Sequence, residues 1–338
     1  MLNKKIDLSV LITSIYQRKN TIETAIYFSE MCNEVILVDE EEPHLHITEI
    51  DKLKKKGITY VPYKATNYDN LFQTSNEKRL IAAELSNYKF VVHSNHDERY
   101  TYNGLLACLT ELQKDDDLAF CAGQAIAIRN DSSQAYFTRS YENLKEYQNL
   151  NSKVEQRIYH HAEIYSPIAH YSVWKKDLYI KTKKRAMSAY DSEPSVTTVL
   201  DEVIFELAAD LAGPSKTIND LYWIRNRINS PYERQQKVEK GGYALQITKN
   251  RLKNLFKDLD NINLNKIIEI LFESFIKISS KTFYEKIIIS IKRVLGNIKK
   301  KRSTMRAEGV YDIYTLLNDN KIEYKKNDLN NLLTSLDL

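Results

Sequence analysis

The sequence predicts an α/β protein: a mostly parallel sheet with helices on both faces, followed by an α-helical C-terminal region. Three observations carry this. From the start to about residue 113, short, nearly continuous β-branched runs alternate with longer amphipathic ones, the pattern of a sheet buried on both sides. The chain has 8 glycines in 338 residues and neither a Walker A loop nor a G-x-G-x-x-G turn, which disfavours a P-loop kinase or a dinucleotide-binding dehydrogenase. Composition, charge and punctuation also change together near residue 230. All 6 prolines lie at or before Pro231, and the net charge passes from −4 over residues 1–231 to +8 over 232–338. A domain boundary is expected there, with 1–231 as the α/β unit and 232–338 as a basic helical domain.

Taken in order, Leu8–Thr13, Glu34–Asp39, Ile58–Tyr63 and Phe90–His93 read as buried strands, each a short apolar run. Asn20–Met31, Ile47–Lys56, Asn70–Asn87 and Tyr102–Gln113 read as the helices that follow them. Later, Val199, Leu200, Val203, Ile204, Leu207, Ala208 and Leu211 recur at helical spacing, and Gly213-Pro214 supplies the stop. Residues 243–278 read as two helices, and Phe283, Ile287, Ile291, Val294 and Ile298 form an apolar stripe on a third. Sheets of this kind bind ligands beyond the carboxyl ends of their strands. Chemistry is therefore expected at Thr13-Ser14, at Asp39-Glu40 and along Ser94–Glu98.

Several classes fall away on composition. No apolar stretch approaches the roughly 18 residues of a membrane span. The first residues lead straight into a run broken by Asp7, Ser9, Thr13 and Ser14, which reads as a strand and not as a secretory signal. The cysteines, Cys32, Cys108 and Cys121, are odd in number and far apart. A reducing, cytoplasmic setting fits them better than a disulfide or zinc framework.

Phe90–His93 runs into Ser94-Asn95-His96-Asp97-Glu98. A carboxylate at the end of a buried strand suits a divalent metal that also grips a diphosphate, because Mg²⁺ and Mn²⁺ take one or two protein carboxylates plus phosphate oxygens. The plain alternative is an acidic helix start, where Asp and Glu favour the dipole. His93 and His96 are joined by no third ligand at a metal spacing, which argues against zinc.

The order of "LSVLITSIYQRKNTIETAI", "EVILVDE" and "NEKRLIAAELSNYKFVVHSNHDERYTYNGL" resembles the family 2-type glycosyltransferases of the GT-A fold, in particular a bacterial subset of surface polysaccharide (capsule or lipopolysaccharide) synthesis. The resemblance covers roughly residues 6–228. It implies a nucleotide-sugar donor and a divalent cofactor, Mn²⁺ or Mg²⁺. Thr13, Ser14 and Arg18 match the nucleotide loop, Asp39 the base contact, and Lys78 and Arg79 the basic positions facing the donor. Asn95 and Asp97 match the two ends of the metal-holding Asp-x-Asp turn. Asn95 is a departure, a neutral oxygen ligand in place of the first aspartate, which leaves Asp97 as the metal ligand with Glu98 beside it.

Further on, "VEQRIYHHAEIYSPIAHYSVWKKDLY" resembles the segment in which an extended stretch closes over the acceptor. "TTVLDEVIFELAADLAGPSK" then places Asp201 and Glu202 early on a helix, where the resemblance implies the general base of an inverting transfer. A sugar hydroxyl is a poor nucleophile, and a carboxylate that takes its proton contributes about 10²–10⁴-fold. Neighbours on a helix point about 100° apart, so only one of the two can be the base, and Asp201 is the one expected. Arg225 and Arg227 suit a diphosphate clamp, the alternative being surface arginines on a strand or turn. Tyr222 and Trp223 read as core or acceptor-stacking aromatics, and His160, His161 and His170 as structural. The implied acceptor is a hydroxyl of a saccharide or of a lipid-linked saccharide. Two rivals stand beside this: a nucleotidyltransferase, whose glycine-rich loop "TSIYQRKN" lacks, and a degenerate GT-A glycan-binding or scaffold protein, which Asn95 motivates.

Residues 281–306 hold nine basic side chains and one acid, Glu285, and Lys299-Lys300-Lys301-Arg302 follow the apolar stripe. A basic amphipathic helix suits an anionic membrane surface, which would make the protein peripheral on the inner face of the plasma membrane. The alternative is ordinary packing with solvated lysines. Nucleic acid is disfavoured, since one basic cluster lacks an aromatic platform.

Overall fold

β1 (Ile6–Ser14) is buried at every residue but Asp7, which requires a place inside a sheet covered on both faces. The structure, a computed structural model, describes residues 4–14, 18–64, 71–131, 134–145, 147–190, 198–226, 242–259, 261–271 and 312–336. After β1 come β2 (Cys32–Asp39), β3 (Ile58–Pro62), β4 (Phe90–Ser94), β5 (Glu98–Tyr100), β6 (Phe120–Asp131), β7 (Gln134–Ser140), β8 (Gln148–Asn149), β9 (Val173–Lys175) and β10 (Ser215–Asn226). Their order in one sheet is β3-β2-β1-β4-β9-β6-β10-β5, with β7 on β6 and β8 on β10. β3, β2, β1 and β4 are parallel neighbours, β9 is antiparallel between β4 and β6, and β6 and β10 are again parallel. This is the mostly parallel α/β sheet that the sequence predicts.

The helices are α1 (Arg18–Met31), α2 (Ile47–Lys55), α3 (Leu71–Leu85), α4 (Tyr102–Lys114), α5 (Val154–Glu163), α6 (Lys176–Ser188), α7 (Thr198–Ala212), α8 (Gly242–Leu255), α9 over 264–271, α10 (Ile313–Asp319) and α11 (Lys326–Thr334). The first four strands and helices lie within a few residues of the sequence reading. The stretch read as extended is instead α5, a 3-10 turn over Ala169–Tyr171, β9 and α6. The reason is periodic: Ile158, His161 and Ala162, three and four residues apart, all turn inward from α5.

The chain steps from β1 outward to β2 and β3, then returns to the other side of β1 with β4. That reversal opens a crevice at the carboxyl ends of β1 and β4, where Ile12 pairs with Ser94. Beyond β9, α4 lies flush on β10. A Cβ at Gly104 would stand 2.6 Å from both Leu221 O and Tyr222 Cα, so only glycine allows this approach. The described C-terminal residues pack on the same body. Leu252, Leu255, Phe256, Ile267 and Leu271 join the core beside α6 and α7, while Leu317, Leu329 and Leu332 cover Ile126, Ile128 and Ile224 of the sheet. Asp328 of α11 accepts hydrogen bonds from Tyr102 N (3.1 Å) and Asn103 N (2.8 Å) at the start of α4, which satisfies donors that a helix start leaves open.

Candidate active site

Strand ends, not loops of special composition, place most of the candidate residues. At the end of β1, Ser14 donates to Glu41 Oε1 (2.9 Å), and its carbonyl accepts from Lys78 Nζ (2.7 Å). Thr13 is buried beside it, with its hydroxyl unpartnered. Lys78 also pairs with Glu40 at 2.7 Å. Its ammonium is wholly buried and joins the ends of β1 and β2. Burial lowers its pKa, against the pull of Glu40.

Asp39 ends β2 with no exposed surface. Its Oδ2 accepts from Arg18 Nε and Tyr60 Oη, each at 2.8 Å, and its Oδ1 from Glu41 N at 3.3 Å. Arg18 also donates to Pro43 O (2.6 Å) and to Glu41 O. The carboxylate thus fixes an arginine, and the arginine is the more exposed of the two.

The turn after β4 closes on itself. Glu98 N donates to Asn95 O (3.3 Å), while Glu98 Oε2 accepts from Asn95 N (3.1 Å) and Asn95 Nδ2 (3.2 Å). Glu98 is fully buried. Burial, and next the charge of Asp97, push its carboxyl up to about 7. Across the turn, Asn226 N donates to Asp97 O (2.8 Å), and Arg225 Nε stands 3.3 Å from Asp97 Oδ2 and 4.0 Å from Glu98 Oε1. β10 therefore brings a guanidinium 128 residues away onto the acidic turn. Tyr171 and Tyr141 both stack on Trp223, with ring centroids 3.9 Å and 5.6 Å away. Tyr222 and Trp223 are themselves buried core residues.

Arg79, on α3, is buried. Its Nε donates to His93 Nε2 at 3.0 Å, which makes that nitrogen an acceptor. Burial, then Arg79, hold His93 well below the usual imidazole pKa, consistent with a neutral ring.

α7 carries more acid than the sequence reading singled out. Glu202 Oε1 accepts from Tyr165 Oη at 3.1 Å. One turn on, Glu206 is buried and accepts from Ala169 N and His170 N, both at 2.8 Å. A further turn on, Asp210 Oδ2 lies 3.0 Å from His161 Nδ1, and Asn149 Nδ2 donates to Asp210 Oδ1 at 3.0 Å. Burial pushes Glu206 up to about 8. Burial alone would lower His161, but Asp210 and Glu206 lift it to about 9. The spacing of Glu202, Glu206 and Asp210, four residues apart, was the readable sign of this stripe. The side chain of Asp201 and all of Arg227 lie outside the described residues.

No metal is seated by protein alone: among the described residues, no group of three or more His, Cys, Asp or Glu gathers. The turn nevertheless fits a cation that arrives with a phosphate ligand. Asn95 gives its N–H to Glu98 and keeps Oδ1, and Asp97 turns Oδ2 to Arg225 and keeps Oδ1. Two oxygens plus phosphate oxygens match what Mg²⁺ or Mn²⁺ accepts.

No protein-family model and no curated protein matches the chain. Among solved structures, the chain is similar to Staphylococcus aureus TarS 1-349 in complex with UDP-GlcNAc, at 12% identity and a TM-score of 0.50, over 79% of this chain and 71% of that one. The same fragment without that ligand gives 11% identity and a TM-score of 0.49, over 79% and 69%. At these identities the likeness speaks for the fold. The chain has the GT-A fold that the sequence predicts.

Proposed function

We propose that this chain is a glycosyltransferase that moves a sugar from a nucleotide-sugar donor to a hydroxyl of a saccharide or lipid-linked acceptor, with inversion, in bacterial surface-glycan synthesis. The observation that carries this is the acidic turn after β4, where Arg225 Nε stands 3.3 Å from Asp97 Oδ2 at the end of the strand that pairs with β1. It supports a phosphate-binding site at the carboxyl ends of the strands. Thr13, Ser14 and the Arg18–Asp39 pair would wall the nucleoside. Arg225 and Arg79 would take the diphosphate, since guanidinium suits phosphate oxygens. Asn95 and Asp97 would hold Mn²⁺ or Mg²⁺, which when bound neutralises charge on the leaving diphosphate. The likeness to a structure in complex with UDP-GlcNAc makes a uridine-diphosphate sugar the first donor to try.

Glu202 is the base that the geometry favours, because Tyr165 Oη orients its carboxylate at 3.1 Å, with Asp201 as the alternative. Glu206 is spent on two backbone N–H groups and stays behind. Among the described residues no helix is long and apolar enough to cross a membrane. For a lipid-linked acceptor, residues 281–306, which lie outside the described residues, are the proposed contact with an anionic membrane surface. The test is release of nucleoside diphosphate from a panel of nucleotide sugars with Mn²⁺. Glu202→Gln or Asp201→Asn should lower kcat about 10²–10⁴-fold while donor binding is kept. Absence of both turnover and nucleotide-induced thermal stabilisation across the panel would refute the reading; stabilisation by glycan alone would favour the scaffold.

A further inference from the structure

Position 95 breaks the acid-x-acid pattern, and the structure supplies a reason for it. Asn95 and Glu98 are joined by three hydrogen bonds, and in two of them the Glu98 carboxylate accepts, once from Asn95 N and once from Asn95 Nδ2. Glu98 has no exposed surface, and its second oxygen, Oε1, has no hydrogen-bond partner. While Glu98 is ionised, a side chain at 95 has to present a donor inward to its carboxylate. An amide does so and keeps its carbonyl oxygen for the other side. An aspartate has no N–H to give, and its carboxylate would meet that of Glu98 at about the 3.2 Å now spanned by the bond.

We infer that Glu98 is a positioning residue of the donor site: it selects an amide at position 95 and fixes which end of it faces the ligand. The turn thus carries its carboxylates at positions 97 and 98, with Glu98 held against the amide of Asn95. This rests on the transferase reading, in that the ligand is a nucleoside diphosphate with its cation. If Asn95 were only a weakened metal ligand, restoring aspartate would tighten binding. The pairing with Glu98 demands the opposite.

The experiment is calorimetric binding of UDP with Mn²⁺, with thermal midpoints for every variant. Asn95→Asp should weaken UDP binding about tenfold or more, the scale of losing a hydrogen bond to a charged group, and should lower the midpoint. In Asn95→Asp/Glu98→Gln the new amide at 98 donates to the new carboxylate at 95, and UDP binding should return to within about threefold of the unsubstituted chain. Recovery of affinity between variants of matched midpoint is a change that a merely structural role would not produce. If Asn95→Asp does not fold, recovery of a cooperative melt in the double variant supports the pairing, and its absence overturns it. Binding by Asn95→Asp that equals or exceeds that of the unsubstituted chain overturns the inference and leaves the transferase reading standing. An unsubstituted chain that binds no nucleoside diphosphate instead brings down that reading, a different result from binding that ignores the swap.

Discussion

Replacing Arg225 with methionine removes one charge and keeps most of the volume, so it isolates what the guanidinium does. Its Nε lies 3.3 Å from Asp97 Oδ2 and 4.0 Å from Glu98 Oε1. At an effective dielectric of about 20, these separations correspond to attractions of about 5 and about 4 kcal/mol. Most of that is offset by desolvation, because the arginine and aspartate side chains are only 22% and 15% exposed and Glu98 not at all. Removing one partner, however, leaves the other side uncompensated, which typically costs about 3–5 kcal/mol. Glu98 already sits near 7 and responds by taking up a proton, which leaves Asp97 as the unpaired charge. The expected loss is therefore at the lower end, about 3 kcal/mol at neutral pH, read as a fall in the urea midpoint with unchanged m-value. UDP binding should weaken in the same variant. A loss below about 1 kcal/mol would refute the claim that Arg225 compensates the acidic turn.

His161 has its pKa lifted from 6.5 to about 9 by Asp210 and Glu206. A raised folded-state pKa gives stability that is complete below about 6.5 and lost as pH climbs through 9, here at most about 3 kcal/mol; urea melts at pH 6, 7, 8 and 9 should show this fall, and a flat profile would contradict it. Gly104→Ala should destabilise by about 1–3 kcal/mol despite better helix propensity, because the new Cβ meets the backbone of Leu221 and Tyr222; an unchanged or raised Tm would show that α4 can back away from β10. Changing Lys299, Lys300, Lys301 and Arg302 to Glu should release the chain from anionic vesicles, at about 1 kcal/mol per engaged side chain. Flotation with no preference for anionic over neutral vesicles at low salt would leave that segment without a membrane role.

What could be read from the sequence was what local pattern determines. β1 to β4 are apolar runs and α1 to α4 amphipathic ones, so their existence and order followed from periodicity alone. β6 escaped because Ala122, Gly123, Gln124 and Ala125 offer little apolar bulk. Their burial comes from β10, and a Cβ at Gly123 would stand 2.5 Å from Tyr222 Cβ. α5 escaped because its inward face includes Arg157 and His161, polar residues that hydropathy assigns to solvent. They are buried only because Asp210, on α7, receives His161 at 3.0 Å and its carbonyl takes Arg157 Nε at 2.8 Å. In the candidate site, Asp97 and Arg225 were legible as residue types at strand ends, and Arg79 as a basic residue on a helix. The Glu98–Asn95 and Tyr165–Glu202 pairings were not, because they are made by tertiary approach.

That difference says something about how the crevice is built. Its forward groups are each held by a buried partner: Arg18 by Asp39, Arg79 by His93, and Asn95 by Glu98. Lys78, also buried, ties the strand ends that frame them. Buried ionisable groups are poor contributors to stability, and well-packed apolar residues in their place are often neutral or better. A domain that needed only a core would have little use for Asp39 or Glu98, buried at the strand ends. Their presence is intelligible if the forward side chains must meet a ligand with rotamers already fixed, so that little ordering entropy remains to be lost on binding. On this argument the backing residues should be harder to replace by their isosteres than their distance from any ligand suggests. Asp39→Asn keeps the shape and a bond to Tyr60 but gives Arg18 a neutral partner. It should weaken nucleotide binding more than it lowers Tm, whereas a purely structural Asp39 would lower Tm alone.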